Sequence, residues 1–162
     1  MGSEGATRRL VRSVLDRLLD DSTQSAVPSP TEGDDIDRLT RDVGRDIENL
    51  LNTRRRCTNS PPEFQELQRS LIEYGIPDFT GLNMSLPSER EQMRLVIERA
   101  IRLFEPRLKN VAVAVHANVD KGDRRLRLRI TGVLRTEPVP ERVEFDSELE
   151  SSVATIGVSV VS

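Results

Sequence analysis

Three features of the chain predict an α+β fold with N-terminal helices followed by a small antiparallel sheet of three to four strands. Apolar residues recur at helical spacing until about Phe104. After Pro106 the period changes to alternation, and a turn-like Asp120-Lys121-Gly122-Asp123 separates two alternating runs. No internal repeat is present.

The elements follow in order. Leu10, Val11, Val14, Leu15, Leu18 and Leu19, with Arg8, Arg9, Arg12, Asp16 and Arg17 between them, predict a short amphipathic helix. Residues 21–34 contain Pro28 and Pro30 and almost no apolar side chains, as a linker does. Residues 1–34 are therefore expected to be an N-terminal helix and flexible linker, joined to a domain spanning 35–162. The apolar face of that first helix is expected to dock on a neighbouring subunit. A second helix is expected from Asp34 or Asp35, where acidic residues suit the positive helix end, with a stripe of Ile36, Leu39, Val43, Ile47, Leu50 and Leu51 that stops near Asn52. Thr53-Arg54-Arg55-Arg56 leads into a polar loop with Cys57, Pro61 and Pro62.

A short helix from Glu63 to Glu73 would bury Phe64, Leu67 and Leu71. Gly75 is placed to take a left-handed conformation after it, and Pro77 prevents its continuation. Ser88 and Glu91 form an S-x-x-E capping box for the next helix, whose stripe is Met93, Val96, Ile97, Ala100 and Phe104, and Pro106 ends it at Glu105. Val111, Val113 and Val115 predict one strand, and Leu126, Leu128 and Ile130 its hairpin partner. Val143, Phe145 and Leu149 predict a third strand, and Ile156, Val158 and Val160 a fourth that leaves a sheet edge able to take another strand.

Composition narrows the function. Aromatics are 3% of the 162 residues, with no Trp and one Tyr, too few for a ring-lined sugar cleft or a base-stacking platform. With 24 Lys plus Arg against 27 Asp plus Glu, bulk attraction to nucleic acid is not expected. Cys57 is the sole cysteine, which excludes an intrachain disulfide and fits a reducing, cytoplasmic setting. Neither a membrane-inserting run nor a signal peptide is read from the chain.

Few residues offer catalytic chemistry. His116, the one histidine, sits within a strand with Ala114 and Asn118 near it and reads as a strand-face residue. Cys57 beside Arg54, Arg55 and Arg56 reads as a loop cysteine, since its only possible base is His116. Glu91, Glu98 and Glu105 recur at seven-residue intervals on nearly one face. Seven helical residues separate backbones by roughly 10 Å, beyond the spacing of a glycosidase pair. The arginines are more informative. Arg54 to Arg56 follow a helix end, where cations compensate the dipole, but three exceed that need. In Glu105-Pro106-Arg107 the proline fixes the exit direction and sets a guanidinium at the corner between helix and strand. That group is read either as helix-end electrostatics or as a fork aimed at a partner's carboxylate.

Four stretches in order, Ser13–Asp20, Asp46–Arg55, Ser70–Phe79 with its Tyr-Gly-Ile-Pro-Asp core, and Ile97–Leu108, resemble the TssE family of type VI secretion baseplate subunits. The wider family includes a wedge protein of contractile phage baseplates and carries a historical "lysozyme-like" name. The resemblance implies that 35–162 is a wedge-like α+β domain and that the protein is a structural, cytoplasmic part without catalysis or cofactor. Its implied partners are the baseplate subunits TssF, TssG and TssK and the sheath proteins TssB and TssC. It also implies that Glu105, Pro106 and Arg107 serve assembly of baseplate and sheath, and that the terminal strands template the first sheath ring. Arg54 and Arg55 join them as expected partner-binding residues. The alternative is a peptidoglycan-cleaving hydrolase that uses Glu carboxylates.

Overall fold

Periodicity and length give the first helix its place. In a computed structural model that describes residues 32–55, 61, 63–79, 83, 86–116, 125–136, 139–150 and 155–161, α1 spans Glu32–Asn52. It begins slightly before the predicted Asp34. Its stripe of Leu39, Val43, Ile47, Leu50 and Leu51 is buried. The predicted 10–19 helix, most of the 21–34 linker, Cys57 and the Asp120–Asp123 turn lie outside the described residues.

The predicted Glu63–Glu73 helix is replaced by two short pieces, a single α turn, α2 (Gln65–Gln68), and a 3-10 turn, Leu71–Glu73. Phe64 and Leu71 are 57% and 83% exposed instead of buried. Helical spacing over so few residues has no stability of its own, and no large apolar surface is left for this segment to cover. Leu71→Ser is therefore expected to change folding stability by less than about 0.5 kcal/mol in denaturant unfolding. A loss above about 1.5 kcal/mol would mean that Leu71 is a core residue after all.

The next helix, α3 (Pro87–Phe104), starts at Leu86 as N-cap with Pro87 in the first turn and no side-chain cap, so the expected capping box does not form. Proline's fixed φ starts the helix one residue ahead of the expected Ser88 cap. Glu91 instead accepts from Arg94 at 2.9 and 2.7 Å. The helix ends at Phe104, with Glu105 as C-cap and Pro106 beyond it, as the sequence predicts.

Four strands follow, β1 (Leu108–His116), β2 (Arg125–Leu134), β3 (Glu141–Glu150) and β4 (Thr155–Val160), in an antiparallel meander ordered β1-β2-β3-β4. Both helices cover one face of the sheet, with α1 over β4 and α3 over β1. Val111, Val113, Leu128, Ile130, Val143, Phe145 and Ile156 point into that layer and meet Met93, Ile97 and Ile101 from α3. A side chain at Gly44 would come within 3.3 Å of the Phe145 ring, so its absence lets α1 lie close on the sheet. The opposite face is polar. There Arg127 meets Glu148 at 3.1 Å, and Arg129 meets Asp146 at 2.9 Å and Glu144 at 3.0 Å across strands. β1 carries an irregularity between Lys109 and Ala112, with Asn110 at φ 51°, a left-handed conformation that asparagine tolerates.

Candidate functional site

Pro106 stops α3 and turns the chain directly into β1, which puts Glu105 and Arg107 on the same corner. Glu105 is only 4% exposed. Its carboxylate accepts from Arg107 Nε at 2.7 Å, from Arg107 Nη2 at 2.6 Å, and from the Arg107 backbone N–H at 3.2 Å. This is a fork-to-fork pair closed between residues two apart. The same Nη2 donates to Asp46 of α1 at 2.5 Å, and the Arg107 carbonyl accepts from Arg135 N–H at 2.9 Å. Arg107 thus joins α1, the end of α3, β1 and the end of β2. The guanidinium expected to point at a partner is bound within its own chain. Its hydrogen bonds to Glu105, and secondarily to Asp46, raise its pKa further against the opposing effect of burial. Pro106 itself is exposed at the apex of the corner.

The second arginine stretch also finds specific partners instead of the helix dipole. The last turn of α1 contains no basic residue. Beyond it the chain forms a single parallel bridge, Arg54 to Ile76, in which Ile76 N–H donates to the Thr53 carbonyl and Arg55 N–H to the Ile76 carbonyl, both at 2.9 Å. Arg55 pairs with Glu73 at 3.1 Å and Arg54 approaches Asp78 at 3.9 Å. Gly75 adopts φ +104°, as the sequence predicts for a left-handed residue.

Tyr74 connects the two stretches. Its ring packs edge-on against Phe104 with centroids 5.2 Å apart. Burial, followed by the charges of Asp46 and Glu105, pushes its hydroxyl pKa up. The Arg54–Ile76 bridge and the Tyr74–Phe104 ring contact thus link the first arginine stretch to the end of α3, although the two arginine stretches are far apart in sequence. Asp46 and Tyr74 were not singled out from sequence. Both lie inside stretches that carry the family resemblance, which was the available signal.

The three glutamates of the hydrolase alternative are each bonded to arginine. Glu91 is held below the usual carboxylate range by its hydrogen bonds from Arg94. Glu98 accepts from Arg94 at 2.7 Å and pairs with Arg102 at 2.8 Å, and Glu105 takes Arg107. His116 is exposed at the end of β1. Among the described residues no group of His, Cys, Asp or Glu is arranged to hold a metal ion, and no helix is long and apolar enough to cross a membrane.

The described residues thus form a two-layer α+β unit whose arginines and carboxylates pair at helix ends and across a polar sheet face. A family model described as baseplate wedge protein gp25 matches residues 37–139, more than half of the chain, and the chain belongs to that family. The matched span contains Arg54, Arg55, Tyr74, Glu105 and Arg107. As a baseplate component the protein meets other baseplate components. No curated protein matches the chain.

Proposed function

We propose that the protein is a TssE-type baseplate subunit of a type VI secretion system, which helps to assemble the baseplate wedge and starts polymerisation of the contractile sheath. The observation that carries this reading is the locked corner. Glu105, Pro106 and Arg107, the residues associated with assembly in the resembling family, are held rigidly by Asp46, with exposed Pro106 at the apex. Rigidity lowers the ordering cost of docking, so a partner meets a preformed surface. Arg54, exposed and with its Nε 3.9 Å from Asp78 Oδ1, extends that surface with a cation. The function is carried out in the cytoplasm, at the inner membrane, with TssF, TssG and TssK as baseplate partners and TssB and TssC as sheath partners. It involves no turnover of a substrate.

A pull-down of the full chain from cells that express the secretion system tests this. Recovery of TssF, TssG and TssK is expected, with TssB and TssC when sheaths are forming. Arg54→Glu is expected to reduce that recovery about tenfold, roughly the effect of a reversed interfacial charge, while leaving the unfolding midpoint unchanged. Recovery of neither baseplate nor sheath subunits would reject the reading. Release of peptidoglycan fragments by the purified protein, abolished by Glu105→Gln in a still-folded chain, would establish the hydrolase instead.

A further inference from the structure

An open cleft of about 750 Å³ separates α2 from the face of α3 that is turned away from the sheet. Gln65, Gln68 and Arg69 form one wall, and Leu95, Arg99 and Leu103 the other. A second cavity, of about 360 Å³, shares Gln68, Arg99 and Leu103 with the first and continues it towards Phe104 and Arg55. From Leu95 to Phe104 the groove follows α3 for roughly 14 Å, at 1.5 Å per helical residue.

The groove is partly apolar. Leu95 is 51% exposed, and the segment that forms the opposite wall leaves Phe64, Leu71 and Ile72 exposed as well. One exposed leucine needs no explanation, but four large apolar side chains on the two segments that bound one groove mark a contact surface. Its charge is one-sided. Arg69 and Arg99 are exposed and make no ion pair among the described residues. Arg102 lines the same cleft, and the Glu98 carboxylate there is buried and already shared between Arg102 and Arg94. The second cavity adds Arg55, which is balanced by Glu73.

Leucines beside unpaired guanidinium groups fit a segment whose apolar residues are flanked by Asp and Glu. A helix laid along α3 offers such a stripe on one face, because anchors at i and i+7 stand roughly 10 Å apart, close to the roughly 12 Å of helix between Leu95 and Leu103. Phosphate alone would leave the leucines unused. Charge also decides against two occupants nearer at hand. The predicted 10–19 helix brings Arg8, Arg9, Arg12 and Arg17, which outnumber Asp16 and Asp20. A second copy seated on the same groove by twofold symmetry would set Arg69 and Arg99 against their own counterparts.

We propose that the groove between α2 and α3 is a docking site for an acidic amphipathic helix of another protein. Leu95 and Leu103 take its apolar face, and Arg69 and Arg99 its carboxylates. This assignment rests on the groove itself and not on the secretion role given above.

NMR titration of the full chain tests the site. The probe is a synthetic peptide of about 15 residues, long enough to hold a helix, with leucines at i, i+4 and i+7 and glutamates beside them. Its counterpart has lysine in place of every glutamate. The glutamate peptide is expected to shift the amides of Gln68, Arg69, Leu95 and Arg99 and to bind about tenfold tighter than the lysine peptide, by a margin that shrinks as salt is added. Arg69→Glu with Arg99→Glu is expected to reverse that preference without moving the unfolding midpoint, and Leu95→Ala to weaken binding of the glutamate peptide about fivefold. If the double variant does not fold, Arg99→Gln alone, with an expected loss of about threefold, carries the charge test. No binding, equal binding of the two peptides, or shifts confined to other surfaces would overturn the proposal. A single-stranded RNA that binds the groove as tightly as the glutamate peptide would overturn it in favour of a phosphate site. Concentration-dependent shifts of the same amides without peptide would overturn it in favour of a second copy of this chain. Contacts from Leu15 or Leu18 to Leu95 in the free protein would do so in favour of the chain's own N-terminal segment.

Discussion

Arg107→Ala is expected to lower folding stability by about 3 kcal/mol, the low end of what is lost when one partner of a buried ion pair is removed. The loss arises from what remains behind. Glu105, 4% exposed, would keep its charge without the fork that binds both its oxygens, and Asp46 would face it across the corner. With roughly 2–4 °C per kcal/mol for a chain of this size, the unfolding midpoint should fall by about 10 °C. Arg107→Lys keeps the charge but not the bidentate geometry, so its loss should be smaller, about 1–2 kcal/mol. Adding Glu105→Gln to Arg107→Ala should recover part of the stability, because the stranded charge is gone. Denaturant unfolding of the four proteins decides the matter. A loss below about 1 kcal/mol for Arg107→Ala would class the corner with ordinary surface pairs. The prediction also bears on assembly: an Arg107→Ala strain without sheaths has lost the scaffold of the corner, so Arg54→Glu and Pro106 variants are the cleaner probes of contact.

Gly75→Ala should cost about 3 kcal/mol or more, which combines a left-handed conformation worth roughly 1–2 kcal/mol with a direct clash. At φ +104° an added Cβ falls 2.4 Å from the Thr53 carbonyl oxygen, the acceptor for Ile76 N–H. Either the bridge opens or the backbone of this segment shifts, and both move Arg54 and Arg55 away from Asp78 and Glu73. Gly157→Ala is the matched control, since nothing lies within 4 Å of its added Cβ. That change should stay within about 0.5 kcal/mol of the original. Equal losses at the two glycines in denaturant unfolding would show that the bridge is not what demands glycine at 75.

The fold class and most elements could be read from the chain because the signals are local. A period near 3.6 in Leu39, Val43, Ile47 and Leu50, and of two in Val111 and Val113 or Ile156 and Val158, reflects which side of each element is covered. Local signals failed where two of them competed or where a surface was missing. Ser88 and Glu91 spell a capping box, yet Pro87 starts the helix before it. Phe64, Leu67 and Leu71 have helical spacing, yet Phe64 and Leu71 end up exposed, because the core is already filled by α1, α3 and Ile76.

The site divides in the same way. Sequence by itself determined the order of helices and strands, the sharp corner at Pro106, the left-handed turn at Gly75, and the membership of Glu105, Arg107, Arg54 and Arg55 in named motifs. Only the tertiary structure decided what those charges meet: Asp46 for Arg107, Glu73 for Arg55, and a strand edge for Glu48, Asn52, Glu98 and Arg102. Periodicity and turn chemistry act over a few neighbouring residues, whereas an ion pair or an edge contact requires two groups within about 3 Å. That proximity is set by how α1 and α3 lie on the sheet.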